Sequence, residues 1–159
     1  MLFWQYQIIY SIKDKTNLLT VNQWSCGLYS NNLSGFDYSD YVTVLRYRDY
    51  DKCIRIYQRL NLLNTDSFIK ISLPIETSDI GKEIKVKSSI YRSGGIGRIL
   101  FYSNDNVLSS VNVGSYQRFF ENILIAEIPN TSEITVEINI PHENNETILY
   151  IASLEVNIQ

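Results

Sequence analysis

The chain has 159 residues, which by size is one domain with room for a substantial core. Hydrophobic residues make up 45% and charged residues 19%, a globular rather than disordered balance. A net charge of −3 and a pI of about 5.1 argue against duplex binding, which needs clustered positive charge to neutralise phosphates, so no nucleic-acid partner is expected.

The N-terminus "MLFWQYQIIYSIKDK" has no basic leader, and Gln5 and Gln7 interrupt its apolar run. It reads as neither a signal peptide nor a membrane span, and no membrane insertion is expected. Residues 1–16 are expected to form an N-terminal arm or extra strand, with Tyr6, Ile8, Tyr10 and Ile12 on one face. Phe3, Trp4, Tyr6 and Tyr10 are the apolar side chains expected to dock on another protein or on a second copy. Residues 17–159 are expected to form the folded domain, least regular over 17–40.

From there on, period-two alternation dominates. Strands are predicted over 41–48 and 52–58, then in "FIKISL", which buries Ile69, Ile71 and Leu73. "EIKVKSSI" buries Ile84, Val86 and Ile90, and its lysines, at alternate positions, read as a solvated face. Further strands are predicted over 98–103, 107–113 and 120–128. "EITVEINI" puts Ile134, Val136, Ile138 and Ile140 on one side. "ILYIASLEVNI" is read as one continuous face of Ile148, Tyr150, Ala152, Leu154, Val156 and Ile158. Turn signals separate these runs, among them Asn64-Thr-Asp-Ser, Ser78-Asp-Ile-Gly, Ser93-Gly-Gly, Ser103-Asn-Asp-Asn and Pro129-Asn-Thr-Ser. No window of useful length shows a 3.6-residue apolar period. Short strands at this spacing make an antiparallel β-sandwich or barrel.

Motifs for catalysis are missing. "SGGIG" (93–97) has no Lys-Ser/Thr pair and leads into a strand, so it reads as a hairpin turn rather than a phosphate cradle. His142, the only histidine, lies in a turn after Pro141. Cys26 and Cys53 cannot make a zinc site without further ligands, and whether they pair is left open. No nucleophile–base pair or metal cluster emerges, and the acids are scattered over strand faces and turns. The expectation is no catalytic residue, no metal and no cofactor.

What remains is aromatic. "GFDYSDYVTVLRYRDYDKC" holds four of the chain's 12 tyrosines, set among charged groups. If Val42 and Val44 face the core, Tyr41, Leu45 and Tyr47 face outward; Leu45 and Tyr47 form a competing inward set, and the sequence leaves the choice open. With Ile54 and Ile56 inward, Arg55 and Tyr57 lie on the other face, as does Tyr91 on its own strand. Tyr47, Arg55, Tyr57 and Tyr91 are thus the candidate carbohydrate-binding residues, provided their strands share a sheet.

The order of features resembles carbohydrate-binding-module jelly rolls of the galactose-binding-like type, over roughly residues 17–158. The resemblance rests on "NLLTVNQWSCG", on "CIRIYQ", on "FIKISLPIETSDIGKEIKVKSSIYRSGG", on "VGSYQRFFENILIAEIPNTSEITVEINI" with Tyr116 where the family often has Trp, and on the closing "ILYIASLEVNI". The family commonly carries acidic residues in that last strand, where Ala152 and Ser153 stand here. The resemblance implies a non-catalytic jelly-roll sandwich with a glycan ligand on a concave face or in end loops. Together with the missing export signal it leads to the expectation of a virion component, such as a phage tail, fibre or surface protein. Such a protein would be made in a cytoplasm and partnered by other virion proteins or by itself. A stand-alone carbohydrate-binding module is the second expectation, and a small glycosidase or lyase the third.

Overall fold

Alternation of apolar and polar residues gives ten strands in the computed structural model, which describes residues 33, 35–58, 65–114, 116–142 and 146–159. The expectations for residues 1–16 (Phe3, Trp4, Tyr6 and Tyr10 among them), for Asn17-Leu18-Leu19, for Trp24 and for Cys26 lie outside the described residues. The strands are β1 (Asp37–Tyr38), β2 (Val42–Tyr47), β3 (Tyr50–Gln58), β4 (Ser67–Pro74), β5 (Glu83–Ser93), β6 (Arg98–Ser103), β7 (Asn106–Asn112), β8 (Phe119–Glu127), β9 (Glu133–Ile140) and β10 (Thr147–Ile158). Apart from β1, a two-residue strand the alternation does not signal, each lies within two or three residues of an expected one.

Two five-stranded sheets result, ordered β1-β4-β9-β6-β7 and β2-β3-β10-β5-β8, with every pair antiparallel. The chain passes from one sheet to the other at β1–β2, β3–β4, β4–β5, β5–β6, β7–β8, β8–β9 and β9–β10. This back-and-forth traverse makes a jelly-roll β-sandwich, one of the two architectures expected from the alternation and the one that the resemblance implies. Ile69, Ile71, Leu73, Ile99, Phe101, Ile134, Val136, Ile138 and Ile140 of the first sheet are buried. Val42, Val44, Ile54, Ile56, Ile84, Val86, Ile90, Leu149, Ile151, Leu154, Val156 and Ile158 meet them from the second. Each such side chain stabilises the fold by about 1.5–3 kcal/mol relative to exposure. The burial of Val42 and Val44 also settles the face of β2 that the sequence leaves open.

One reading is corrected. In β10 the register against β5 slips between Ile151 and Ser153, where two steps on β10 match one on β5. Ala152 is the extra residue of a β-bulge, and a bulge reverses the phase of the alternation. The core face of β10 is therefore Leu149 and Ile151, then Leu154, Val156 and Ile158. Ile148 and Tyr150 fall on the opposite, outward face. The β5–β6 connection is the expected turn, and Gly94 is indispensable there. Its φ is 93°, and a Cβ would sit 2.0 Å from the carbonyl oxygen of Glu146.

Candidate aromatic binding face

The second sheet's outward face collects one aromatic ring from each of its five strands: Tyr47 (β2), Tyr50 (β3), Tyr150 (β10), Tyr91 (β5) and Phe119 (β8). Registry accounts for most of this. Tyr47 lies opposite Tyr50 across the β2–β3 hairpin, Tyr91 opposite Tyr150, and Phe119 opposite Tyr91. Tyr47 and Tyr150 stack with centroids 3.7 Å apart and planes within 5°. Because β3 runs between their strands, the stack bridges it. Tyr91 meets Tyr47 edge-on at 5.3 Å and Tyr150 at 5.9 Å, while Phe119 closes on Tyr50 at 4.6 Å and on Tyr91 at 5.6 Å. Offset and edge-on pairs of this kind add about 0.5–1.5 kcal/mol each beyond area burial, so the rings hold one another in place.

Arg48 completes the cluster. It occupies the first turn position after Tyr47 with φ 53°, a left-handed conformation that costs a non-glycine residue about 1–2 kcal/mol. From there its guanidinium lies 4.9 Å from the Tyr91 ring centre and 5.5 Å from that of Tyr47, and its Nη2 donates to the Tyr91 hydroxyl at 3.3 Å. Burial alone would push the Tyr47 phenol up, but hydrogen bonds with Arg48 and Tyr91 and the Arg48 charge bring it below its ordinary value. Tyr91 moves up, first through its hydrogen bond with Tyr47. Cys53, between the strands the stack spans, is fully buried and a free thiol, and desolvation pushes it up to about 11.

All four candidate residues named from the sequence lie on this face. Tyr47 and Tyr91 touch directly. Arg55 and Tyr57 form a second pair, the guanidinium 5.9 Å from the ring centre, with Arg55 in register with both Thr43 and Tyr150. Exposure differs among them. Tyr91 is 6% exposed and supports the others, Tyr50 is 39% exposed, and Tyr47, Tyr57, Tyr150 and Phe119 keep part of their surface open. Tyr50, Tyr150, Phe119 and Arg48 are members that sequence reasoning missed. Tyr50 was detectable as the mirror of Tyr47 about Arg48-Asp49, whereas Phe119 comes into place only through the nonlocal β5–β8 pairing.

Elsewhere, an open cleft of about 400 Å³ lies at one end of the sandwich, lined by Ile75, Thr77, Ile80, Asn104, Asn130, Thr131 and Ser132, away from the rings. His142 is exposed in its turn, with its backbone N–H donating to Asp66. Among the described residues no group of three His, Cys, Asp or Glu side chains is placed to hold a metal ion, and no helix is long and apolar enough to cross a membrane.

An antiparallel two-sheet jelly roll with aromatic rings across one outward face has the fold of carbohydrate-binding-module jelly rolls. A module described as TmCBM61, solved with β-1,4-galactotriose, is similar at a TM-score of 0.57 and 11% identity, over 79% of this chain and 90% of that one. A Stig cyclase, Fisc, from Fischerella sp. TAU, solved with an indole compound, is similar at 0.60 and 8% identity, over 86% of this chain and 88% of the other. The enzymatically active domain of bacteriophage CBA120 tailspike protein 4 matches at 0.53 and 10% identity, over 87% of this chain but 20% of that one. Sequence identities this low make these likenesses of fold, and the fold serves binding modules and enzymes alike. No protein-family model matches the sequence, and no curated protein sequence matches it.

Proposed function

We propose that this protein is a non-catalytic glycan-recognition module whose ligand stacks on the outward face of the second sheet. The observation that carries this reading is the five-ring cluster. Pyranose rings present apolar C–H faces that pack on aromatic side chains, while phenol and guanidinium groups around the rings supply hydrogen bonds to hydroxyls. Solved carbohydrate-binding modules with the same fold support it. The test is titration of the purified protein against glycans found by array screening. Tyr47→Ala and Tyr57→Ala are each expected to weaken binding by about 1–2 kcal/mol, the scale of lost ring burial. Unchanged affinity in both variants, with native melting behaviour, would remove the face from consideration.

The likeness to a tailspike domain favours a finer reading, in which the module is an attachment or structural component of a virion. There the glycan face would meet the host surface while another surface docks onto particle proteins or a second copy; Phe3, Trp4, Tyr6 and Tyr10 are proposed for that contact. Antibody labelling of purified particles tests this, and particles without the protein would exclude it. The cyclase sharing the fold makes turnover worth assaying too. Product formation from a bound glycan, abolished by one carboxylate substitution, would replace recognition with catalysis.

A further inference from the structure

Among the described residues, the two arginines of the aromatic face have no acidic partner, on a chain whose net charge is −3. Among the described residues, ion pairs engage Arg46 with Asp51, Lys70 with Asp37, Lys82 with Asp79 and Arg98 with Asp66, but neither Arg48 nor Arg55. The nearest acids in sequence and register do not change this. Asp49 neighbours Arg48 in the turn without pairing to it, Asp51 is taken by Arg46, and Glu121 of β8 stands opposite Ser89. Arg48 instead rests on the rings of Tyr47 and Tyr91 and donates to a neutral phenol. Arg55 rests on Tyr57, and its Nε is shut off from solvent with no hydrogen-bond partner, as is the Oγ1 of Thr43 directly opposite in register.

A guanidinium presents a planar fork of donors that matches a carboxylate, sulfate or phosphate through two parallel hydrogen bonds, and a flat aromatic bed fixes its orientation. Two such forks on a ring-lined face, uncompensated by local acids, suit a sugar that stacks through its ring and carries an anionic substituent. We infer that the glycan taken by this face is acidic, with its anionic groups held by Arg48 and Arg55. This rests on the reading of the face as a glycan site and specifies its substrate class.

Matched probes test it: polygalacturonate, alginate and hyaluronan, each beside its carboxyl-reduced form, with dextran sulfate beside dextran as the sulfate-bearing pair. The expected result is that at least one acidic member binds ten-fold or more tightly than its neutral counterpart. Arg48→Gly and Arg55→Gln are expected to shrink that ratio several-fold without abolishing binding to the neutral member. Arg48→Gly suits the test because φ 53° is a conformation glycine adopts freely, so the variant folds even if Arg55→Gln does not. Equal binding of acidic and neutral members overturns the inference while leaving the glycan site standing. An acidic preference that survives Arg48→Gly in full assigns the charge reading elsewhere and also overturns it. Binding of no probe in any pair counts against both the inference and the site.

Discussion

Asn104 and Asp105 both stand at positive φ, 49° and 66°, in the two-residue turn joining β6 to β7. Such hairpins twist correctly only when both central residues are left-handed, which favours Asn at the first position and Gly at the second. Asp105 is the poorer fit, so Asp105→Gly is expected to raise stability by about 0.5–1 kcal/mol, read as a small increase in urea midpoint. Cys53 makes a different residue-scale statement. Its thiol, held at about 11 by burial against an ordinary 9.0, keeps its proton where the unfolded chain's thiol ionises. Below the ordinary value both states are protonated and nothing is gained or lost. As pH rises through 9.0 towards 11 the unfolded state is favoured, and stability falls by up to about 2–3 kcal/mol. Wild type is thus expected to lose its advantage over Cys53→Ala between about pH 8 and about pH 10.5 in urea titrations, because the variant lacks this proton linkage. A gap constant with pH would contradict the burial argument.

At the scale of the element, β10 shows what alternation can and cannot reveal. In β9 one set of side chains is apolar throughout, and in β4 and β5 it is so but for Ser67 and Ser88, so period two names the core face without help from the tertiary structure. In β10 the run Ile148-Leu149-Tyr150-Ile151-Ala152 is apolar on both faces, and pattern alone cannot locate the change of phase at Ala152. The loss of alternation over those five residues was itself the legible sign of a bulge or a doubly covered strand. The consequence for function is that Tyr150 belongs to the ring cluster rather than to the core. Arg55, Tyr57 and Tyr91 were readable because their strands alternate strictly, and Arg48 was not, because its placement depends on turn geometry. Tyr150→Leu is expected to keep the apolar cover over β10 while losing the stack on Tyr47. It should cost about 0.5–1.5 kcal/mol of stability in urea unfolding and weaken glycan binding more than an equally conservative change at Ile148. If Tyr150→Leu leaves stability unchanged, the stack contributes nothing to the fold.

Across the whole molecule, the two sheets divide the labour. Phe101 of β6 is fully buried in the core facing the first sheet's interior, whereas Tyr47 stands on the far side of the second sheet. Stacked sheets lie about 10 Å apart, so the two side chains share no partner and their effects should add. Phe101→Leu is therefore expected to lower unfolding free energy by about 1–2 kcal/mol and leave the glycan Kd unchanged at temperatures well below the melt. Tyr47→Ala should weaken binding and also lower stability through its lost ring pairs with Tyr91 and Tyr150. The double variant should show the sum of both in each measurement. A Phe101→Leu protein that is still folded but binds ten-fold more weakly would mean that core packing sets the shape of the ring-bearing face. The aromatic cluster would then be part of one cooperative unit with the core, rather than a surface that the sandwich carries independently of its interior.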